Sequence, residues 1–227
     1  MVVAAGCSTP PDHYHTLRPL PAAAPAAHAA RAAGATLAVG PVTVPDALAR
    51  DEWVVRRGET GAAIYDHQLW TQDLSAEIAQ ALADDLNDAA PPEGLWADAG
   101  PTGSGTGADL DRPPALRVRV QVLSFDSVLA PAPAVADRLR WTLECLPADP
   151  ALSPIDQGRY RPVRGAVRDA AGPAPAGDAA VEDGQRRFDA LARAHAASVR
   201  ALAADIAAAL RDSAAERARS CAAPAAR

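Results

Sequence analysis

Leu116-Arg117-Val118-Arg119-Val120-Gln121-Val122 alternates apolar and polar residues at every step. A period of two puts the apolar set on one side of an extended chain and Arg117, Arg119 and Gln121 on the other, so the stretch reads as a half-buried strand. Leu139, Trp141, Leu143 and Cys145 alternate with Arg138, Arg140, Thr142 and Glu144 in the same way, and Tyr160 to Arg168 supplies a weaker third case. Three antiparallel strands with one polar face suit a sheet that helices cover on one side.

Downstream, Phe188, Leu191, His195, Val199, Leu202, Ile206 and Leu210 line one face of a long helix, the strongest periodic signal in the chain. Upstream, Leu74, Ile78, Leu82 and Leu86 recur every four residues with Ala81 beside them and acidic residues opposite. That spacing predicts a second amphipathic helix, with Thr71 or Asp73 as its cap. Thr36 to Pro45 reads as a strand interrupted at Gly40-Pro41, which makes it an edge strand or a bulged one. Trp53 to Arg57 and Ala62 to Tyr65 flank a turn at Gly58 to Gly61 and can form a hairpin. Asn87 to Pro114 and Ala170 to Gly184 are rich in Ala, Pro and Gly and read as surface loops. The expected fold is therefore α+β. A single domain over residues 36–211 holds a mainly antiparallel sheet packed by two principal helices, the second long and C-terminal, with flexible loops at about 87–114 and 170–184 and a disordered tail over 212–227.

Composition narrows the function. All 22 basic residues are Arg, the formal net charge is -6 and the pI is near 5.3. With no basic face to displace phosphate counterions, nucleic-acid binding is excluded. No stretch approaches the roughly 20 apolar residues needed to span a bilayer, so any membrane attachment is covalent or peripheral.

The amino terminus offers such an attachment. Val3-Ala4-Ala5-Gly6-Cys7 has the small residues that precede the acylated Cys of a bacterial lipoprotein, where a peptidase must approach the backbone closely. Only six residues precede Cys7, fewer than the apolar segment of about 7–15 that a secretion signal requires, which points to a late start or a trimmed chain. The alternative is a chance Ala-Gly-Cys in an Ala-rich sequence. After Cys7 comes a Pro-containing stretch, and Pro19 to Gly34 is almost pure Ala and Pro. Residues 1–35 thus read as a truncated lipoprotein signal, a lipidation site at Cys7 and a flexible Ala/Pro tether.

Catalytic and metal motifs are weak. Cys7, Cys145 and Cys221 lack zinc-ligand spacing, and Cys145 reads as a lone core thiol, with a Cys145–Cys221 pair as the alternative. His13 and His15 form an isolated HxH. His195 falls on an apolar helix face and reads as a satisfied core histidine. His67 lies near Asp66 and Asp73 without a nucleophile-elbow Ser or Cys, and Asp84, Asp85 and Asp88 read as a solvated helix face. The glycine-rich run Gly100 to Gly107 has no Lys and no leading strand, so it fails as a phosphate loop. No catalytic residue, cofactor or metal is expected.

Taken in order along the chain, these features resemble the PqiC (YmbA)-like family of ABC-type transport auxiliary lipoproteins. The matching pieces are Ala5-Gly6-Cys7, then Tyr14, Thr16 and Leu17, which look like the family's Tyr-Thr-Leu segment, then Val39-Gly40-Pro41-Val42 with Pro45. Trp70 ahead of the first helix, Val118 to Asp126 and the Leu191 to Leu210 helix complete the likeness. The resemblance implies a domain held by Cys7 in the inner leaflet of the outer membrane and facing the periplasm. Ser8 after the Cys agrees with that sorting. It further implies partnership with an MCE-domain (PqiB-like) protein and an inner-membrane transporter component, movement of phospholipid between membranes, and a homo-oligomeric ring at the tunnel end. Rival readings are a generic envelope interaction lipoprotein, a secreted hydrolase built around His67, and a cytoplasmic protein starting at Met1.

Overall fold

The computed structural model describes residues 10–18, 35–89, 95–99, 116–145, 160–174 and 183–220. Its centre is an antiparallel meander of β6 (Leu116–Val128), β7 (Ala134–Cys145) and β8 (Arg161–Pro173), the three alternating segments read from the sequence. Val118, Val120 and Val122 of β6 and Leu139, Trp141 and Leu143 of β7 are buried on one face. A register shift between Val122 and Ser124 reverses the alternation, so that Phe125 and Ser127 also point inward. On the opposite face Arg117 pairs with Glu144 and its guanidinium lies 3.7 Å from the centre of the Tyr160 ring.

The other side of β6 is shared by two strands in succession. β2 (Ala35–Thr43) runs parallel to its first half and β3 (Glu52–Arg57) parallel to its end. The chain leaves the sheet between them through a 3₁₀ turn at Asp46–Leu48 and rejoins it in the same direction, so no crossover helix is needed. β3 and β4 (Gly61–Trp70) form the expected hairpin, with Gly58 at φ 59° in its turn. β1 (His13–His15) adds parallel to the end of β4, and β5 (Leu95–Asp98) adds parallel to β2. The sheet is mixed: its long ladders are antiparallel and its parallel contacts are short.

Two helices cover the inward face. α1 (Leu74–Asp88) buries Leu74, Ile78, Ala81, Leu82 and Leu86, each large residue contributing about 1.5–3 kcal/mol. The Asp73 carboxylate accepts from the Ala76 N–H at 3.0 Å and caps its start. α2 (Asp183–Asp212) buries all seven residues of its predicted stripe. Arg200 of α2 meets Asp85 of α1 at 3.3 Å, so Asp85 is a helix-to-helix contact and not part of a solvated face.

Four expectations need correction, and one of two alternatives, a bulge in β2, holds. The Asn87 to Pro114 loop contains β5, which lies beside Ala35–Ala38, so β2 is internal there and is an edge only beyond. The interruption of β2 is a bulge: the register skips between Val39 and Val42, with Gly40 at φ 135°. β8 extends to Pro173 into the stretch read as a loop, and α2 begins at Asp183. The tail after Arg211 continues as α3 (Ala214–Ser220), where Ser213 is buried and Arg217 donates to the carbonyl of Leu210. Cys145 is disulfide-bonded and so is not a lone thiol. The Pro19 to Gly34 stretch, Gly100 to Gly107, Cys7 and Cys221 lie outside the described residues.

Candidate functional site

A polar clasp holds the segment that follows Cys7. β1 is only three residues long, too few to be held by its ladder alone, and its neighbours supply the rest. His15 is buried, with Nε2 2.8 Å from Gln68 Oε1 and Nδ1 3.3 Å from Asp189 of α2. Its carbonyl accepts from the Thr71 N–H at 3.0 Å. The ring meets Trp53 edge-on at 5.1 Å, and Trp53 stacks on Trp70 at 4.1 Å. Below it, Thr16 Oγ1 and the Leu17 N–H both donate to Glu77 Oε2, at 2.9 and 3.1 Å, while Thr71 donates to Glu77 Oε1. Glu77 is 0% exposed and Leu17 is buried beside it.

Glu77 escaped the sequence reading, which put the acids of α1 on its solvent side. The signal was present, since position 77 is three residues after Leu74 and one before Ile78 and therefore lies within the apolar stripe. Arg18 extends the contact toward Asp84 at 3.9 Å, where burial nonetheless pushes the Asp84 carboxyl above its usual range.

The positions singled out from the sequence fall into two groups. Tyr14, Thr16, Leu17 and Trp70 come together around the β1–β4 pairing, with Tyr14 63% exposed and Leu17 and Trp70 buried. Val39, Gly40, Pro41, Val42 and Pro45 sit on and after β2, separated from the first group by β3 and β6. There Val39 is buried, and Gly40-Pro41 forms the bulge as a cis peptide.

A second polar network lies behind Trp53. Trp53 Nε1–H donates to Ser127 Oγ at 2.9 Å, Ser127 Oγ lies 2.9 Å from His195 Nε2, and His195 Nδ1 lies within about 3.0 Å of both Asp137 oxygens. His195 also stacks on Phe125 at 3.9 Å. The order Ser, His, Asp is that of a hydrolase triad, assembled from residues that sequence spacing could not connect. Its surroundings are those of a core. Ser127 is 1% exposed, and the cavity beside it, lined by Trp53, Trp70, Leu74 and Phe125, measures about 10 Å³, room for one water at most. His195 is therefore the satisfied core histidine expected from its helix face.

His67, the centre of the hydrolase reading, is paired with Asp12 at 2.8 Å on the surface, both side chains being roughly half exposed. Among the described residues no three His, Cys, Asp or Glu side chains are grouped to hold a metal, and His15 of the HxH pair is committed to the clasp. No described helix is long and apolar enough to cross a membrane.

Comparison with known proteins agrees with this arrangement. A solved structure described only as an uncharacterized protein is 18% identical and superposes with a TM-score of 0.58 over 88% of this chain and 99% of its own. A Xanthomonas campestris protein is 12% identical, with a TM-score of 0.54 over 82% of this chain and 88% of its own. At these identities they share the fold alone. No curated protein matches the chain by sequence. The family model for the ABC-type transport auxiliary lipoprotein component matches residues 15–207, from the clasp through the long helix, and the chain belongs to that family.

Proposed function

We propose that this chain is an outer-membrane-anchored, periplasm-facing subunit of an MCE/Pqi-type intermembrane lipid transport system. An acylated Cys7 fixes it in the inner leaflet, and its folded part docks an MCE-domain (PqiB-like) tunnel protein that works with an inner-membrane transporter component to move phospholipid. The carrying observation is the family match over residues 15–207. Two structural features support it. The segment that begins six residues after Cys7 is clasped into the fold, as an anchor that positions a domain requires. The disulfide at Cys145 suits an oxidising compartment such as the periplasm.

The buried surroundings of Ser127 and the surface pairing of His67 support a docking role over hydrolysis at either residue. The family's ring assembly and its contacts with the tunnel belong to the same proposal. Mass spectrometry of the native amino terminus, combined with co-purification from membranes, tests it. A diacylated or triacylated Cys7 together with recovery of an MCE-domain protein is the expected result. An intact Met1 refutes the anchor, and association with a secretion channel alone replaces the transport assignment with the generic envelope one.

A further inference from the structure

Tyr14 and Ile64, at 63% and 49% exposure, are two of the three large apolar residues left open among the described residues, and both belong to the corner of the sheet that contains β1. They share a face. In β1, Tyr14 alternates with buried His15 and lies beside Leu69; across the hairpin, Val54 lies opposite Ile64, while Trp53 between Glu52 and Val54 points into the core. The outward side of the β1–β4–β3 corner thus carries Tyr14, Leu69, Val54 and Ile64, facing away from the helices.

We propose that this corner rests in the membrane interface and forms a second, non-covalent point of attachment that orients the domain. The inference relies on acylation of Cys7. Five residues, Ser8 to Asp12, separate Cys7 from β1, so the leash spans about 20 Å even when fully extended. A domain of this size is about 40 Å across. The leash is therefore shorter than the body it holds, and the corner bearing β1 stays within about 20 Å of the bilayer. The stretch Pro19 to Gly34 adds nothing to that reach, because the chain is already clasped at residues 13–17 before it begins.

The chemistry of the corner fits a lipid surface. A tyrosine puts its ring at the acyl boundary and its hydroxyl among headgroups, and Ile, Leu and Val add apolar area around it. The nearby charges form no basic cluster: Asp12 and His67 pair with each other, Glu52 lies beside Leu69, exposed Asp66 lies between Ile64 and Leu69 on β4, and Arg56 lies opposite Ala62. The contact is therefore apolar and interfacial and does not draw on attraction to anionic lipid, and its effect is orientation, since the acyl chains already provide retention.

The test uses the full lipidated protein in vesicles of phosphatidylethanolamine and phosphatidylglycerol, with a photoreactive phenylalanine analogue replacing Tyr14, Ile64 or, as an exposed control on β8, Val167. Cys7 acylation is measured by mass on the same samples, and circular dichroism checks folding. Lipid adducts at positions 14 and 64 should exceed those at 167 by several-fold and persist at high salt. Equal yields at all three sites with Cys7 acylated overturn the interface contact while leaving the anchor standing. Cross-links from 14 or 64 to a second protein chain in place of lipid also overturn it. A protein without acylated Cys7 removes the anchor and this inference together.

Discussion

Glu77 carries the clasp because it accepts from three donors and lies in no water. Replacing it with Ala strands the buried Leu17 N–H, while the hydroxyls of Thr16 and Thr71, on exposed residues, can turn to water, a cost of about 1–3 kcal/mol by the usual penalty for an unmet buried group. Glu77→Gln keeps one carbonyl acceptor, and the threonine hydroxyls can rotate to meet the new amide, so its loss should be clearly smaller. Denaturant melts would rank the two, and amide exchange over residues 13–17 should speed up in Glu77→Ala far more than exchange within β6. Uniform loss of protection across the sheet would instead make Glu77 a general core residue. The Ser127, His195 and Asp137 network invites a different check. His195→Ala leaves the Asp137 carboxylate buried beside a cavity, a loss of roughly 3–5 kcal/mol. Ser127→Ala removes one neutral partner of Trp53 and His195 and should cost about 1–3 kcal/mol. The native protein should not react with a fluorophosphonate probe, and labelling at Ser127 would revive a hydrolase.

Among the elements, α1 shows how a local signal controls stability. Hydrogen bonds from the Ser75 hydroxyl and then from the Ala76 N–H hold the Asp73 carboxyl below its usual range. A folded pKa below the unfolded one means that the cap contributes fully above about pH 4, the unfolded value, and is lost as the pH falls through the lower folded value. Asp73→Ala should therefore cost about 1 kcal/mol at neutral pH, with the difference from the native protein closing in acid. Urea titrations of both proteins at pH 7 and near pH 3 would show it, and a gap that stayed constant would deny the cap its charge. Both long helices and the β6–β7 pair were legible because each rests on a period repeated over seven residues or more, and the cap because Asp73, like the alternative Thr71, is a capping residue just ahead of the first Leu. The parts that were not legible are short or featureless. β1 has three residues and β5 four, too few for a period to emerge, and both depend on a neighbouring strand found only in the fold. The end of β8 is Ala-Gly-Pro, whose small side chains give alternation no contrast. A period of two also fixes which face is buried without fixing strand direction, so the parallel placement of β2 and β3 along β6 had no signature. The polar residues of the site were hidden differently: Glu77 and Gln68 look like surface residues until His15 and Thr16 are brought against them.

For the whole molecule, the three cysteines decide whether the anchor can exist. Cys145 is disulfide-bonded, so its partner is either Cys7, which would prevent acylation, or Cys221. The topology favours the second. Cys145 ends β7 opposite Leu116, at the start of β6, whereas β3 joins the other end of β6 near Ser127, with β4 and then β1 beyond it. From the strand spacing and rise, β1 and Cys145 are about 30 Å apart across the diagonal of the sheet. A leash of about 20 Å cannot bring Cys7 to the 4.4–6.8 Å separation a disulfide requires. The other terminus approaches from the correct side: α3 packs against β8, β8 pairs Arg161 with Cys145, and α3 ends at Ser220, the residue before Cys221. Non-reducing peptide mapping should therefore recover a Cys145–Cys221 link. The same link would hold α3 against the sheet edge, and its reduction should free residues 213–220 to proteolysis while leaving the clasp at residues 13–17 protected. Recovery of a Cys7–Cys145 peptide would sink both the acylated anchor and the orientation at the membrane that follows from it.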